Sequence, residues 1–169
     1  MTDAATVRPL TDADFDAWAP LWAGYLRFYR TVLPDEVTQA SFARLVARED
    51  GVAGLVAEVE GRVAGFAHVI EHRTSWTLGT SLYLEDLFVD PDIRGGGVGR
   101  ALIAAVYAEA DARGCERTYW ITEEFNWVAR RTYETVAHRK SYITYERSPT
   151  PPRDSTTAGW GAAAPAPHP

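Results

Sequence analysis

The chain has 169 residues, 46% of them hydrophobic and 24% charged, the size and balance of one globular domain able to bury a two-layer core. A formal net charge of −6 speaks against nucleic acid as the main partner, and no apolar run approaches the roughly 18 residues of a membrane span. One cysteine, Cys115, excludes an intramolecular disulfide and a cysteine zinc cluster, and the start Met1-Thr2-Asp3 has no apolar signal segment, so a reducing, cytoplasmic setting is expected.

In chain order, residues 5–10 read as a first strand. Thr11 with Asp14 three positions on forms a capping-box-like start. The helix behind it runs to about residue 30 with Phe15, Trp18, Leu21, Trp22, Tyr25 and Phe28 at helical spacing, and Pro20 predicts a kink or a split into two. A second helix is expected over 38–48. Two β-rich runs, 52–59 and 63–71, meet at Glu60-Gly61, a hairpin signal. A strand follows at 81–89, then a helix over 98–113 with Gly114 as its stop. Residues 117–122 form a strand, 126–137 a helix, and 141–146 a last strand by alternation. The order predicts an α/β domain over 1–147, with a mixed sheet and helices on both faces. From 148 to 169 the chain turns to Pro, Ala, Thr and Gly, the composition of a flexible tail.

The most informative segment is the strand Tyr83-Leu84-Glu85-Asp86-Leu87-Phe88-Val89, followed by Asp90-Pro91-Asp92-Ile93-Arg94 and Gly95-Gly96-Gly97-Val98-Gly99-Arg100. Glycines at a helix start let backbone amides converge where the helix end carries partial positive charge, a cradle for a diphosphate. No Lys-Ser/Thr pair follows, so a P-loop fails. The third glycine of the dinucleotide fingerprint is missing, since Arg100, Ala101 and Leu102 follow Gly99. The pattern R-x-x-G-x-G, carried by Arg94, Gly97 and Gly99, fits the pyrophosphate arm of coenzyme A.

With Tyr119-Trp120-Ile121-Thr122, Asn126, Ala129 and Tyr133 downstream, this segment resembles the GNAT N-acetyltransferase superfamily, in the branch of polyamine, histone and D-amino-acid acetyltransferases. The resemblance implies a mixed sheet of about six to seven strands flanked by about four helices. It implies acetyl-CoA as cofactor and a homodimer or higher homo-oligomer. The backbone of Leu87, Phe88 and Val89 would hold the pantetheine arm, the amides from Gly95 through Arg100 the diphosphate, and Asn126 and Ala129 the region near the sulfur. Arg130 and Arg131 read as a solvated helix face.

Two side chains take chemical roles by position. Glu85 corresponds to an acceptor-site acid, as base and as anchor for the ammonium, and Tyr133 to the acid facing the leaving thiolate. Glu85 and Asp86, as strand neighbours, are expected to point to opposite faces. Tyr25, Phe28, Tyr29 and Trp120 are expected to wall an acceptor pocket, together with Trp22. His68 and His72, four apart in a strand, make a poor metal pair, and no metal site is expected. The acceptor expected is a small cationic or amino-acid-like amine, without nucleic-acid or membrane partners. A protein-lysine acetyltransferase and a non-catalytic coenzyme A-binding module remain alternatives.

Overall fold

The computed structural model describes residues 5–93 and 96–147. Five strands form one sheet in sequence order: β1 (Thr6–Pro9), β2 (Val52–Val59), β3 (Arg62–Arg73), β4 (Thr80–Val89) and β5 (Arg117–Trp120). The first four pair antiparallel and β5 joins β4 in parallel, so the sheet is mixed. β2 and β3 close through Glu60 and Gly61, both at positive φ, 51° and 75°, as a two-residue hairpin turn with the twist of its strands requires.

Four helices cover the two faces: α1 (Phe15–Phe28), α2 (Asp35–Ala47), α3 (Val98–Arg113) and α4 (Trp127–Val136). On one face Trp18, Leu21, Trp22, Phe42 and Leu45 of α1 and α2 pack against Val56, Phe66 and Phe88. On the other, Val98, Leu102, Ile103 and Val106 of α3 pack on Leu55, Ala57, Ala67, Val69, Leu82 and Leu84. Alternation along each strand thus feeds two cores, and β2, second from the sheet edge, is buried over most of its length.

Three expectations change. α1 continues through Pro20 rather than splitting; Pro20 and Asp16 are both exposed, so the carbonyl that loses its helical partner is open to water. Residues 141–147 form no strand, and Tyr142, Ile143 and Tyr145 are 77–91% exposed; alternation marks a two-faced segment, but a strand needs an edge to pair with. The sheet accordingly has five strands among the described residues, fewer than the six to seven expected. The proposed tail lies outside those residues.

One irregularity positions everything that follows. β3 and β4 run in register from Gly65↔Val89 to His68↔Asp86, then resume at Val69↔Leu84. One residue of β4, Glu85, has no partner of its own on β3: a β-bulge. Leu84 and Leu87, three apart, consequently both pack on the α3 side. The strict alternation of faces along β4 is interrupted at this point, between Leu84 and Leu87.

Candidate active site

β4 and β5 pair only from Ser81↔Arg117 to Leu84↔Trp120. Past that register β4 runs on to Val89, while β5 ends and the chain leaves through residues 121–126. The two strands therefore part at the bulge. A cleft of about 460 Å³ opens in the fork, between the C-terminal end of α1, the start of α3 and the start of α4.

Its base is β4 itself, through Leu84, Glu85, Leu87, Phe88 and Val89. β3 occupies the other edge of β4 as far as Val89, so the β4 edge facing the cleft has lost its β5 neighbour beyond Leu84. At one end lie Ile93, Gly97, Val98, Gly99 and Arg100. Gly97 holds φ 82°, which side-chain-bearing residues avoid, and a Cβ placed there would meet no atom within 4 Å. Val98, Gly99 and Arg100 are the first turn of α3, whose ladder begins among the described residues with the Ala101 amide donating to Gly97 at 2.9 Å. Helix first turns present amides that the helix itself does not use. Gly96 sits beside this turn without lining the cleft, and Arg94 and Gly95 lie outside the described residues.

α4 supplies the opposite wall through Asn126, Ala129, Thr132 and Tyr133. Asn126 stands at the helix start and donates from Nδ2 to the Thr122 hydroxyl at 3.1 Å, which fixes its side chain. Tyr133 packs edge-on against Trp120 with centroids 5.4 Å apart. Burial, and after it the nearby Tyr29, push the Tyr133 hydroxyl up to about 12, so it keeps its proton at any physiological pH. Arg130 bonds the Glu124 carbonyl at 2.8 Å, and neither it nor Arg131 lines the cleft.

The third wall comes from α1. Tyr25, Phe28 and Tyr29 line it, with Phe125 facing Phe28 at 6.2 Å between centroids. Trp22, expected among them, belongs to the core instead, 8% exposed and stacked on Trp18. Solvent reaches Glu85 through the open mouth of the cleft, while the surrounding walls displace much of its water. That burial, and then the charge of Asp86, push the Glu85 carboxyl up to about 7. Tyr25 is held protonated by burial first and by Asp86 second.

Every described residue expected at the site, Gly96 and Trp22 excepted, meets in this one cleft. Those missed are mostly in 122–128: Thr122, Phe125, Trp127 and Val128, with Leu84, Ile93 and Thr132 besides. The signal for those in 122–128 was the unusual run of large apolar residues at the start of α4 and just before it that no core claims; Phe125 and Trp127 are each 63% exposed. Among the described residues, no group of three or more His, Cys, Asp or Glu is placed to hold a metal. No helix among them is long and apolar enough to cross a membrane.

A forked mixed sheet with a glycine-led helix at the fork defines a class, and comparison agrees: the Acetyltransferase (GNAT) family model matches residues 16–137, and the chain belongs to that family of acyltransferases. Among its relatives, D-amino-acid N-acetyltransferase HPA3 of Saccharomyces cerevisiae is 37% identical over 150 residues, covering 88% of this chain and 93% of that one. Aminoglycoside N(6')-acetyltransferase type 1 of Stenotrophomonas maltophilia is 36% identical, covering 68% and 73% respectively. The solved structure of AAC(6')-Iy with the bisubstrate analogue CoA-S-monomethyl-acetylneamine matches with a TM-score of 0.75, over 88% of this chain and 100% of that one, at 20% identity. That last likeness speaks to the fold.

Proposed function

We propose that this chain is an acetyl-CoA-dependent N-acetyltransferase that acetylates a small cationic or amino-acid-like amine by direct attack on the thioester. The observation that carries this reading is the juxtaposition, in one cleft, of Glu85 on β4 and Tyr133 on α4. The relatives named for D-amino acids and aminoglycosides support an amine as acceptor.

The cleft fits acetyl-CoA on three counts: the β4 edge beyond Leu84 without its β5 neighbour, the open space at Gly97, and the first-turn amides of α3. Leu87, Phe88 and Val89 would hold the pantetheine arm by strand-like bonds, and Gly97 through Arg100 the diphosphate. Asn126 and Ala129 would lie along the arm. When bound, acetyl-CoA supplies the activated acetyl group. The chain's own residues do the rest.

An acceptor ammonium, of pKa near 10.4, must lose a proton before nitrogen can attack. An ordinary glutamate is about six pH units too acidic to take it outright. With Glu85 at about 7 the gap narrows to roughly three and a half. Glu85 relays this first proton to water across that gap, leaving a free electron pair on nitrogen. It then accepts the second proton, which becomes acidic as the C–N bond forms and the C–S bond breaks. Its charge, with the Tyr25, Phe28 and Tyr29 rings, also draws in the cation.

On the other side, Tyr133 at about 12 is roughly three and a half pH units too weak an acid to protonate a thiolate of pKa near 8.5. It acts by donating a hydrogen bond to sulfur as negative charge grows there. The test is incubation of the protein with acetyl-CoA and a panel of polyamines, D- and L-amino acids and an aminoglycoside, following free thiol. Thiol release that saturates with at least one of them is expected. Binding of acetyl-CoA with no release for any acceptor, a lysine peptide included, would contradict the reading.

A further inference from the structure

His68 is a buried polar residue that the proposed reaction does not use. It is 3% exposed on β3 and sits between two partners. The Trp18 indole donates to its Nε2 at 3.0 Å, and its Nδ1 lies 2.8 Å from Oδ2 of Asp86. An indole N–H can only donate, so Nε2 must accept. The proton therefore resides on Nδ1, which donates to Asp86. His68 is a neutral imidazole of one tautomer, set by a tryptophan that is 0% exposed.

This has an electrostatic consequence for the bulge. Asp86 is held by a neutral donor rather than by a cation, so its charge stays uncompensated beside Glu85. The other groups around the pair are Tyr25 and Tyr29 of α1, Tyr83 of β4 and Tyr119 of β5, with Glu123 near Tyr29 and Tyr133 across the cleft. None of these is a cation.

We propose that Trp18, His68 and Asp86 form a positioning relay: Trp18 fixes the histidine as a neutral donor, His68 anchors the Asp86 carboxylate, and Asp86 supplies the fixed negative charge that makes Glu85 a stronger base. The three are positioning residues and touch neither acceptor nor acetyl donor. The bulge is what lets the relay work, since it brings Asp86 to the His68 side while leaving Glu85 on the cleft. The elevated Glu85 value, with Asp86 as its second cause, is consistent with this.

The inference rests on Glu85 as base, and the two are tested separately. Asp86→Asn keeps an oxygen to accept the His68 proton and removes the charge. The acid limb of its kcat–pH profile is expected to move down by about one pH unit, with acetyl-CoA affinity unchanged. An unmoved limb in Asp86→Asn, while Glu85→Gln abolishes that limb, overturns the relay and spares the base. A limb that survives in Glu85→Gln removes the base itself. A second measurement needs no variant: imidazole 15N correlation spectra of the wild-type protein near pH 7 are expected to show His68 unprotonated at Nε2 and protonated at Nδ1. An imidazolium signature at His68 overturns the proposal whatever the variant does.

Discussion

Glu85 and Tyr133 are shifted in the same direction by burial, yet the shift serves them differently. In the proposed reaction it strengthens Glu85 as a base that would otherwise be too feeble, and it makes the protonation state matter near neutrality. The kcat of the wild-type protein should therefore fall below about pH 7, and Glu85→Gln should lose both that limb and most turnover; a kcat–pH series checks this, and an unchanged profile would reduce Glu85 to a scaffold. The same raised pKa means that ionising Glu85 costs the folded state, so this residue's contribution to stability declines as pH rises from 4.5 towards 7. For Tyr133 the shift secures a donor. Tyr133→Phe should lower kcat roughly 10- to 100-fold, the worth of a hydrogen bond to a charged atom, with acetyl-CoA affinity changed by less than about twofold. Equal losses in both would count against the role. A third residue-scale case lies away from the cleft. Asp14, 5% exposed, accepts from Arg8 at 2.7 and 2.8 Å and from the Thr11 amide at 2.8 Å, which hold its carboxyl down to about 2. Its pKa is depressed, so its stabilisation is present above about pH 4 and disappears as pH falls toward 2. Asp14→Asn should cost about 2 kcal/mol at neutral pH by denaturant titration, and the variant and wild type should converge in stability toward pH 2.

At the scale of elements, the site is made by two departures from regularity: the bulge in β4 and the early end of β5. Neither was legible. Hydrophobic alternation predicts that Glu85 and Asp86 part company across the sheet; only the register with β3 reveals that one is an inserted residue. The extent of β5 was overestimated to 122 because Ile121 and Thr122 suit a strand, whereas the ladder stops at Trp120 and those residues line the cleft. By contrast α3 was legible end to end, from its glycine turn to Gly114 at φ 69°, because both boundaries depend on a conformation that glycine alone adopts cheaply. The turn supports a further prediction. Gly97→Ala meets no steric obstacle but must hold φ near 82°, a strain of about 1–2 kcal/mol, so it should lower Tm modestly and weaken acetyl-CoA binding as the α3 start shifts. Calorimetry of both quantities checks it, and full retention of affinity would remove the turn from the cofactor site.

For the whole molecule, the two-sided sheet would let the amine and the acetyl donor of the proposed reaction approach from different directions. Cores on both faces hold β3 and β4 rigid, α1 furnishes aromatic walls on one side, and α4 brings Tyr133 from the other. The alternation of strands and helices along the chain made this layering legible, and the glycine turn pointed to the end of the cleft that would take a diphosphate. The last expected strand failed because a run such as Tyr142, Ile143 and Tyr145 carries propensity without naming a partner edge. Walls such as Phe125, before α4, and Trp127, at its first turn, escaped because exposed aromatics in one sequence look alike whether they line a pocket or not. The proposed reaction requires that the fork between β4 and β5 be an acetyl-CoA groove. Isothermal titration of the folded protein with acetyl-CoA measures this directly: saturable binding with a Kd in roughly the micromolar range is expected, and the absence of any binding would contradict it.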